Sequence, residues 1–339
     1  MSATEALRWG ILGTGRITGR IARAPVDPRR HVIAAVASRD AERARDHAQR
    51  HGIERWHGSY DDLLADPAVD VVYVALPNHL HAPWAIRAIE AGKHVLVEKP
   101  IALTVADVDA IATAAARHGR VVAEGFMYLH HPQTRSVLEA IASGRLGSIR
   151  LIRGSFSFTL THPNDPRLDP EMGGGSLWDL GGYPVSFARR ALGLDPDEVL
   201  AMQVADDGVD MAFVGQLRFP GDRLLVIDTS FRAPDRELLE VVGSEGVLTV
   251  DPAFLAPADR PTSYTIVGRD GQRSSVAIAA ADAYRAEMDD LAAAIEDGRL
   301  ASWSIADSRA TVAALEALHL AAASIRGIRP LGRPGPVRA

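Results

Sequence analysis

Glu98-Lys99-Pro100 places an acid, an ammonium and a rigid bend at the end of an apolar run, His94-Val95-Leu96-Val97. A lysine at the carboxyl end of a parallel strand points into the crevice where such sheets bind ligands. Far along the chain, Gly173-Gly174-Gly175-Ser176-Leu177-Trp178-Asp179-Leu180-Gly181-Gly182-Tyr183-Pro184 supplies a carboxylate and a phenol in a glycine-rich setting. Lysine, aspartate and tyrosine set against a dinucleotide site suggest hydride and proton transfer on an alcohol or carbonyl. Hydride exchange at a carbinol carbon needs a partner for the proton on oxygen, and Tyr183 is the candidate acid/base. Its unperturbed pKa of about 10 is too high for a base at neutral pH. Lys99 beside it is expected to lower that pKa and to stabilise developing alkoxide charge. Asp179 is expected to bind a neighbouring substrate hydroxyl, and Arg167 and Trp178 are candidates to line the substrate pocket. Asp179 and Tyr183 are four apart, so a helix would put both on one face. Gly181, Gly182 and Pro184 suit a helix interior poorly, so the helix is expected to start near Pro184 with the pair on the preceding turn.

The dinucleotide site is expected near the N-terminus. Gly13-Thr14-Gly15-Arg16-Ile17 follows a first apolar strand and precedes a helix. In such a turn the first glycine permits the bend, and the second lets backbone approach a pyrophosphate seated on the helix N-terminus. Thr18 stands where the fingerprint carries glycine or alanine. At the end of the second strand an NAD site usually has an acid for the ribose hydroxyls, whereas this chain has Ser38-Arg39. A hydroxyl and a guanidinium suit a 2′-phosphate, which favours NADP over NAD; the alternative is a solvated Arg39 with Asp40 in the acid's role. Leu76-Pro77-Asn78-His79-Leu80-His81 follows a later strand, so Leu76, Pro77, Asn78 and His79 are expected beside the nicotinamide ribose. His81 is a further candidate there, with capping or packing against the helix as its alternative, and Glu98 is counted with the cofactor site.

These residues need a parallel sheet to converge. The first ~125 residues alternate strands and helices, as in a doubly wound α/β sheet. Apolar strands are expected at Leu7–Leu12, His31–Ala37, Asp70–Leu76, His94–Val97 and Val121–Ala123. The pattern then changes. Ile149 to Leu160 alternates, and strand candidates follow at 199–204, 211–219, 224–231, 238–242 and 247–250, which indicates a largely antiparallel sheet. Two helices, about 283–296 and 306–325, close the chain. The expected division is a Rossmann domain over 1–125, a substrate and oligomerisation domain over 126–325, and a disordered tail over 326–339.

Composition narrows the classes. A net charge of −6 gives no basic footprint for nucleic acid, and no apolar run is long enough to span a bilayer. The absence of cysteine rules out disulfides and thiolate catalysis. His130 and His131 show no ligand spacing with another acid or histidine, so no metal is expected. The first residues lack the basic start and apolar core of a signal peptide, which makes a cytoplasmic location the default.

Taken in order and spacing, Gly13-Thr14-Gly15-Arg16-Ile17, Leu76-Pro77-Asn78-His79, Glu98-Lys99-Pro100 and the Asp179/Tyr183 segment resemble the glucose-fructose oxidoreductase / inositol dehydrogenase / rhizopine-catabolism (Gfo/Idh/MocA) family. The resemblance runs from about Leu7 to Ile325. It implies an N-terminal Rossmann domain, a C-terminal α/β domain with a large open sheet that usually forms the dimer or tetramer interface, and often a cis bond before the proline matching Pro100. Tyr183 stands where the inositol-dehydrogenase branch has histidine. With Phe126-Met127-Tyr128 and His131-Pro132-Gln133, the chain is more similar to the branch of dihydrodiol dehydrogenase, NADP-dependent xylose dehydrogenase and sugar ketoreductases. The implied activity is an NAD(P)-dependent oxidoreductase acting on a sugar, cyclitol or related secondary alcohol. The alternatives are a non-catalytic nucleotide-dependent sensor, or a glycosidase or epimerase that recycles bound cofactor.

Overall fold

The computed structural model describes residues 6–324 except Pro25. Its first half alternates strand and helix: β1 (Leu7–Leu12), α1 (Thr18–Ala22), β2 (His31–Ala37), α2 (Ala41–His51), β3 (Arg55–His57), α3 (Tyr60–Ala65), β4 (Val71–Val74), α4 (His81–Glu90), β5 (His94–Glu98), α5 (Val105–His118) and β6 (Val122–Gly125). The six strands form one parallel sheet in the order β3-β2-β1-β4-β5-β6. Helices cover both faces, so Val71–Val74 and Val95–Val97 are wholly buried and read as continuous apolar runs. Strand order reverses between β1 and β4, the position where open α/β sheets hold ligands beyond their carboxyl ends.

The second half contains α6 (Pro132–Ala142), β7 (Ile149–Thr159), α7 (Gly182–Leu192), β8 (Glu198–Asp206), β9 (Val209–Phe219), β10 (Arg223–Ser230), β11 (Arg232–Gly243), β12 (Gly246–Val250), β13 (Thr262–Gly268), β14 (Arg273–Ile278), α8 (Ala283–Asp297) and α9 (Ile305–Ala323). Its eight strands run β14-β13-β12-β11-β7-β10-β9-β8, antiparallel except where β10 pairs with β7. Along β9, buried and exposed residues alternate, as expected when one face packs on a core. The mixed α/β architecture, a parallel nucleotide-type sheet plus a large mostly antiparallel one, is that expected from the sequence.

Some elements differ from expectation. β3 is short and mostly exposed, β14 is rich in Ser and Arg, and β13 shows only the brief alternation of Tyr264 and Ile266; none is among the strands expected from the sequence. The last two helices do not belong to the second half alone. Met288, Leu291 and Ala294 of α8 pack with Trp9, Ile11 and Leu96 of the first sheet. In α9, Val312 joins the core around Val108 and Ile111, while Leu315 and Leu318 join the core of the second half. Residues 326–339, expected as a disordered tail, lie outside the described residues.

Candidate active site

The turn after β1 is built around Gly13, whose φ is +107° and whose Cβ, if present, would sit 2.5 Å from the Ala75 carbonyl oxygen. No L-residue fits that turn without displacing β4. Gly15 and Arg16 are exposed, Thr14 and Ile17 are half-buried, and no atom lies within 4 Å of where a Gly15 Cβ would be. The loop therefore leaves open space over the start of α1. Thr18, the departure from the fingerprint, is fully buried. Its hydroxyl donates to the Gly15 carbonyl at 2.6 Å and lies 3.3 Å from His47 Nε2. The threonine thus fastens the loop that its position in the motif had put in doubt.

At the end of β2, Asp40 is committed elsewhere. Its carboxylate accepts from the Glu42 and Arg43 backbone N–H groups at 2.9 and 3.1 Å, capping α2. Ser38 accepts from the Asp40 N–H, and Arg39 is exposed, with its guanidinium toward the Tyr60 hydroxyl. A phosphomonoester placed here would meet an exposed guanidinium and a hydroxyl rather than a free carboxylate. The open glycine loop fits the pyrophosphate of a dinucleotide.

After β4, Leu76, Pro77 and Asn78 are half-buried and His79 is exposed. Asn78 Nδ2 donates to the Gly173 carbonyl at 2.9 Å, which ties this loop to the glycine-rich segment. His81 follows the packing reading rather than its candidacy for the cofactor. It is buried, with Nδ1 and Nε2 each 2.7 Å from a carbonyl oxygen, of Pro100 and Leu76 respectively. Burial pushes its pKa down to about 4 against the pull of those two carbonyls. His81 holds the β4 and β5 loops together and has no nitrogen left for a cofactor.

The Lys99-Pro100 bond at the end of β5 is cis. Both oxygens of Glu98 are engaged: one accepts from the Tyr73 hydroxyl, the other from the Lys99 backbone N–H at 3.2 Å. Burial raises the Glu98 carboxyl pKa, with the Lys99 charge opposing. Lys99 Nζ reaches across to the second half and donates to Asp179 Oδ1 and to the Asp179 carbonyl, both at 2.7 Å. Arg167 Nε lies 2.8 Å from the other carboxylate oxygen, Oδ2. Burial alone would raise the Asp179 pKa, but Lys99 and Arg167 together hold it below the usual carboxylate range. Arg167 is in turn raised, first by Asp179, and its guanidinium lies 5.8 Å from the centre of the Phe158 ring.

Residues 177–181 wind as a π-helix that runs straight into α7, so Asp179 and Tyr183 stand on one continuous helix rather than on a turn before it. The widened turn accommodates Pro184, which has no N–H to give the regular ladder. Asp210 starts this helix by accepting from Ser176 Oγ and the Leu177 N–H. Pro184 lies directly on Gly154 of β7, where a Cβ would come within 2.3 Å of it. That close approach sets the depth of α7, and so of Tyr183.

Tyr183 is caged by Phe126, Tyr128, Phe156 and Phe254, with ring centroids 5.2 to 5.9 Å away. Lys99 Nζ is 5.1 Å from the Tyr183 ring centroid. The Tyr183 hydroxyl makes no hydrogen bond to any described residue. Its pKa is raised well above 10, by burial first and then by the charges of Glu98, Asp179, Glu237 and Glu287. This overturns the expectation that Lys99 lowers it: the ammonium donates to Asp179, and carboxylates surround the phenol. Trp178 is a second correction. It packs against His319 of α9 and is not drawn into the Lys99–Asp179–Arg167 group.

The assembled set is therefore Lys99, Asp179, Arg167 and Tyr183, beside the edge where β1, β2 and β4 end. Sequence reading missed Tyr73, Glu237, Tyr284 and Glu287. Glu237 lies on β11 and accepts from the Phe254 and Leu255 N–H groups. Glu287 and Tyr284 reach the site from α8, with Glu287 buried and its own pKa raised well above the ordinary value. None carries a local motif, because each is brought in by tertiary packing.

A sequence profile described as "Oxidoreductase family, NAD-binding Rossmann fold" matches residues 7–126, and one described as "GFO/IDH/MocA C-terminal domain" matches residues 134–249. The chain is 36% identical over 327 residues to an uncharacterized oxidoreductase of Rhizobium meliloti, covering 94% of this chain and 97% of that one. It is 35% identical over 316 residues to a D-xylose 1-dehydrogenase (NADP(+)) of Haloferax volcanii, covering 92% and 96%. A 3-ketoreductase from Actinomadura kijaniata, solved with NADP and TDP-benzene, superposes with a TM-score of 0.86 at 28% identity over 94% of this chain and 98% of that one. Solved variants of that ketoreductase replace one lysine and one tyrosine whose separation along its chain equals that of Lys99 and Tyr183 here.

Proposed function

Because the chain belongs to the Gfo/Idh/MocA oxidoreductase family, we propose that it is an NADP(H)-preferring dehydrogenase or reductase acting on a CH–OH or carbonyl carbon of a sugar or related cyclic polyol. The nicotinamide, when bound, supplies or accepts the hydride. Gly13 to Ile17 would hold the pyrophosphate, Ser38 and Arg39 the 2′-phosphate, and Leu76 to His79 the ribose beside the nicotinamide. Residues 1–125 form the nucleotide half and 126–325 the substrate half, with α8 and α9 bracing both.

Tyr183 is the acid/base. Its free hydroxyl meets the reacting oxygen, and in reduction it donates the proton. The Lys99 ammonium stabilises charge on that oxygen and on the phenolate left behind. Asp179 accepts from an adjacent substrate hydroxyl while holding Lys99 in place, and Arg167 fixes Asp179 from the other side. The observation that carries this reading is the meeting of Lys99, the residue after β5, with Asp179 and with the Tyr183 ring. The test is NADPH or NADP⁺ turnover, followed by fluorescence, over a panel of aldoses, ketoses and deoxyketo sugars. Lys99→Met and Tyr183→Phe should each lower turnover by about 10²-fold or more while still binding dinucleotide; undiminished turnover in both would refute it.

The outer face of the large sheet presents Leu200, Met202, Val204 and Val214, all exposed. This apolar surface supports assembly of two or four copies through the sheet, which sedimentation would test. No helix among the described residues is long and apolar enough to cross a membrane.

A further inference from the structure

Two turns beyond Tyr183, α7 leaves the active site and borders a separate cavity of about 580 Å³, walled also by α6, the turn at 127–130 and the segment between α8 and α9. Its size is that of a small-molecule site. The polar groups around it are His130, Arg135, Glu139, Arg190 and Ser302, and its apolar wall includes Leu138 and Trp303. We propose that this cavity binds a small organic monoanion with a flat apolar body, an aryl carboxylate in chemical class.

Two guanidinium groups face one carboxylate here, which leaves the cavity net positive. The Arg135 guanidinium makes no hydrogen bond or ion pair with any described residue. Arg190 gives one N–H to the Ser302 carbonyl at 3.3 Å and keeps the rest of its fork. The nearby carboxylate of Asp290 is held by Ser302 and is paired with a third guanidinium, that of Arg299. At the inner end is His130, only 5% exposed and without a hydrogen-bond partner among the described residues. Its ring lines the cavity rather than packed core. Burial pushes its pKa down to about 4, so at neutral pH the ring is uncharged and offers one donor. Trp303 makes a fixed wall: its indole N–H donates to Glu124 at 3.3 Å, and Phe126 meets it edge to face at 6.0 Å. A planar body against that wall, with its carboxylate toward the two arginines and His130, meets the free donors of the site and leaves the exposed Glu139 carboxylate to solvent. A guanidinium pair matches a carboxylate in shape as well as charge.

The probe is benzoate, titrated by calorimetry into the full chain without dinucleotide, so the outcome does not depend on the proposed oxidoreductase activity. Benzoate is expected to bind and benzyl alcohol to bind at least tenfold more weakly. The Arg135→Gln/Arg190→Gln double variant should lose at least tenfold in benzoate affinity. Both arginines are exposed, so the fold should be retained. Ala142→Phe, which fills the cavity and changes no charge, should lose binding as well. Lys99→Met should bind benzoate as the wild type does. The proposal is overturned by the absence of any heat at tens of millimolar benzoate, by undiminished binding in the double variant or in Ala142→Phe, or by a loss of binding in Lys99→Met.

Discussion

Asp179→Asn is the most searching single change. The carboxylate stands between two cations, with Lys99 Nζ at 2.7 Å and Arg167 Nε at 2.8 Å, and the lysine and aspartate side chains are only 13% and 12% exposed. Breaking a buried ion pair by removing one partner costs about 3–5 kcal/mol. The amide keeps one acceptor oxygen, and Arg167 is more open to solvent at 37%, so about 2–4 kcal/mol is expected at pH 7. The sign of the pH dependence follows from the depressed pKa of Asp179. A carboxyl whose pKa is lower folded than unfolded contributes stability that is present above its unfolded value of about 3.9 and fades as pH falls through the folded value. The gap between wild type and Asp179→Asn should therefore be constant from pH 7 to about 5 and close as pH falls below about 4. Urea unfolding across that range, with m-values compared, measures it. A gap under about 0.5 kcal/mol at pH 7, or one that does not narrow in acid, would show that Lys99 and Arg167 do not depend on this carboxylate.

Tyr183→Phe should lower turnover by about 10²–10⁴-fold, yet change stability by less than about 1 kcal/mol, because the hydroxyl has no protein partner to lose; dye-monitored melting beside turnover separates the two. Arg39→Ala should weaken NADPH binding by about 10-fold or more and leave NADH within about 3-fold, read by fluorescence titration. Thr18→Val removes the bond to the Gly15 carbonyl; about 1 kcal/mol of stability should be lost, and dinucleotide affinity should fall with it. Glu124, which accepts from the Ile101 N–H and Trp303, has its pKa raised to about 6 by burial. An acid with a raised folded pKa loses stability as pH rises from its unfolded value through the folded one, so wild type should lose about 2 kcal/mol relative to Glu124→Gln between about pH 3.5 and 7, most of it between about 4.5 and 6, in paired denaturation curves.

Much of this was legible in the sequence, where local rules and global fold agree. The continuous apolar runs of β4 and β5 could only be buried parallel strands, and Gly13 and Lys99 follow strands closely enough to be placed at one edge of the sheet. Asp179 and Tyr183 were found through their glycine-rich surroundings. What was not legible depends on pairing at long range. Nothing in Trp178 itself says that it faces α9. His81 reads like its neighbours Asn78 and His79 until the Pro100 carbonyl is brought against it. The return of α8 beneath the first sheet is equally hidden, because Met288, Leu291 and Ala294 would face any core equally well. The burial of the phenol in its aromatic cage is also a product of long-range packing. It is the first cause of a pKa that moves opposite to expectation, ahead of the charges of Glu98 and Asp179 and then of Glu237 and Glu287.

That reversal bears on the chemistry in the proposed roles. A phenolate at rest would require the ammonium to act mainly on Tyr183, but Lys99 donates both to the Asp179 carbonyl and to its carboxylate. Burial and four carboxylates keep the phenol protonated instead. A neutral phenol with a free hydroxyl is a proton donor, poised for reduction of a carbonyl. As the oxygen gains negative charge, the Lys99 ammonium beside it stabilises that charge. The same arrangement works against oxidation at neutral pH, which must begin by taking a proton from the alcohol while the phenol still holds its own. An oxidation rate that climbs with pH well beyond neutrality, against a reduction rate flat over the same range, is what this electrostatic asymmetry requires.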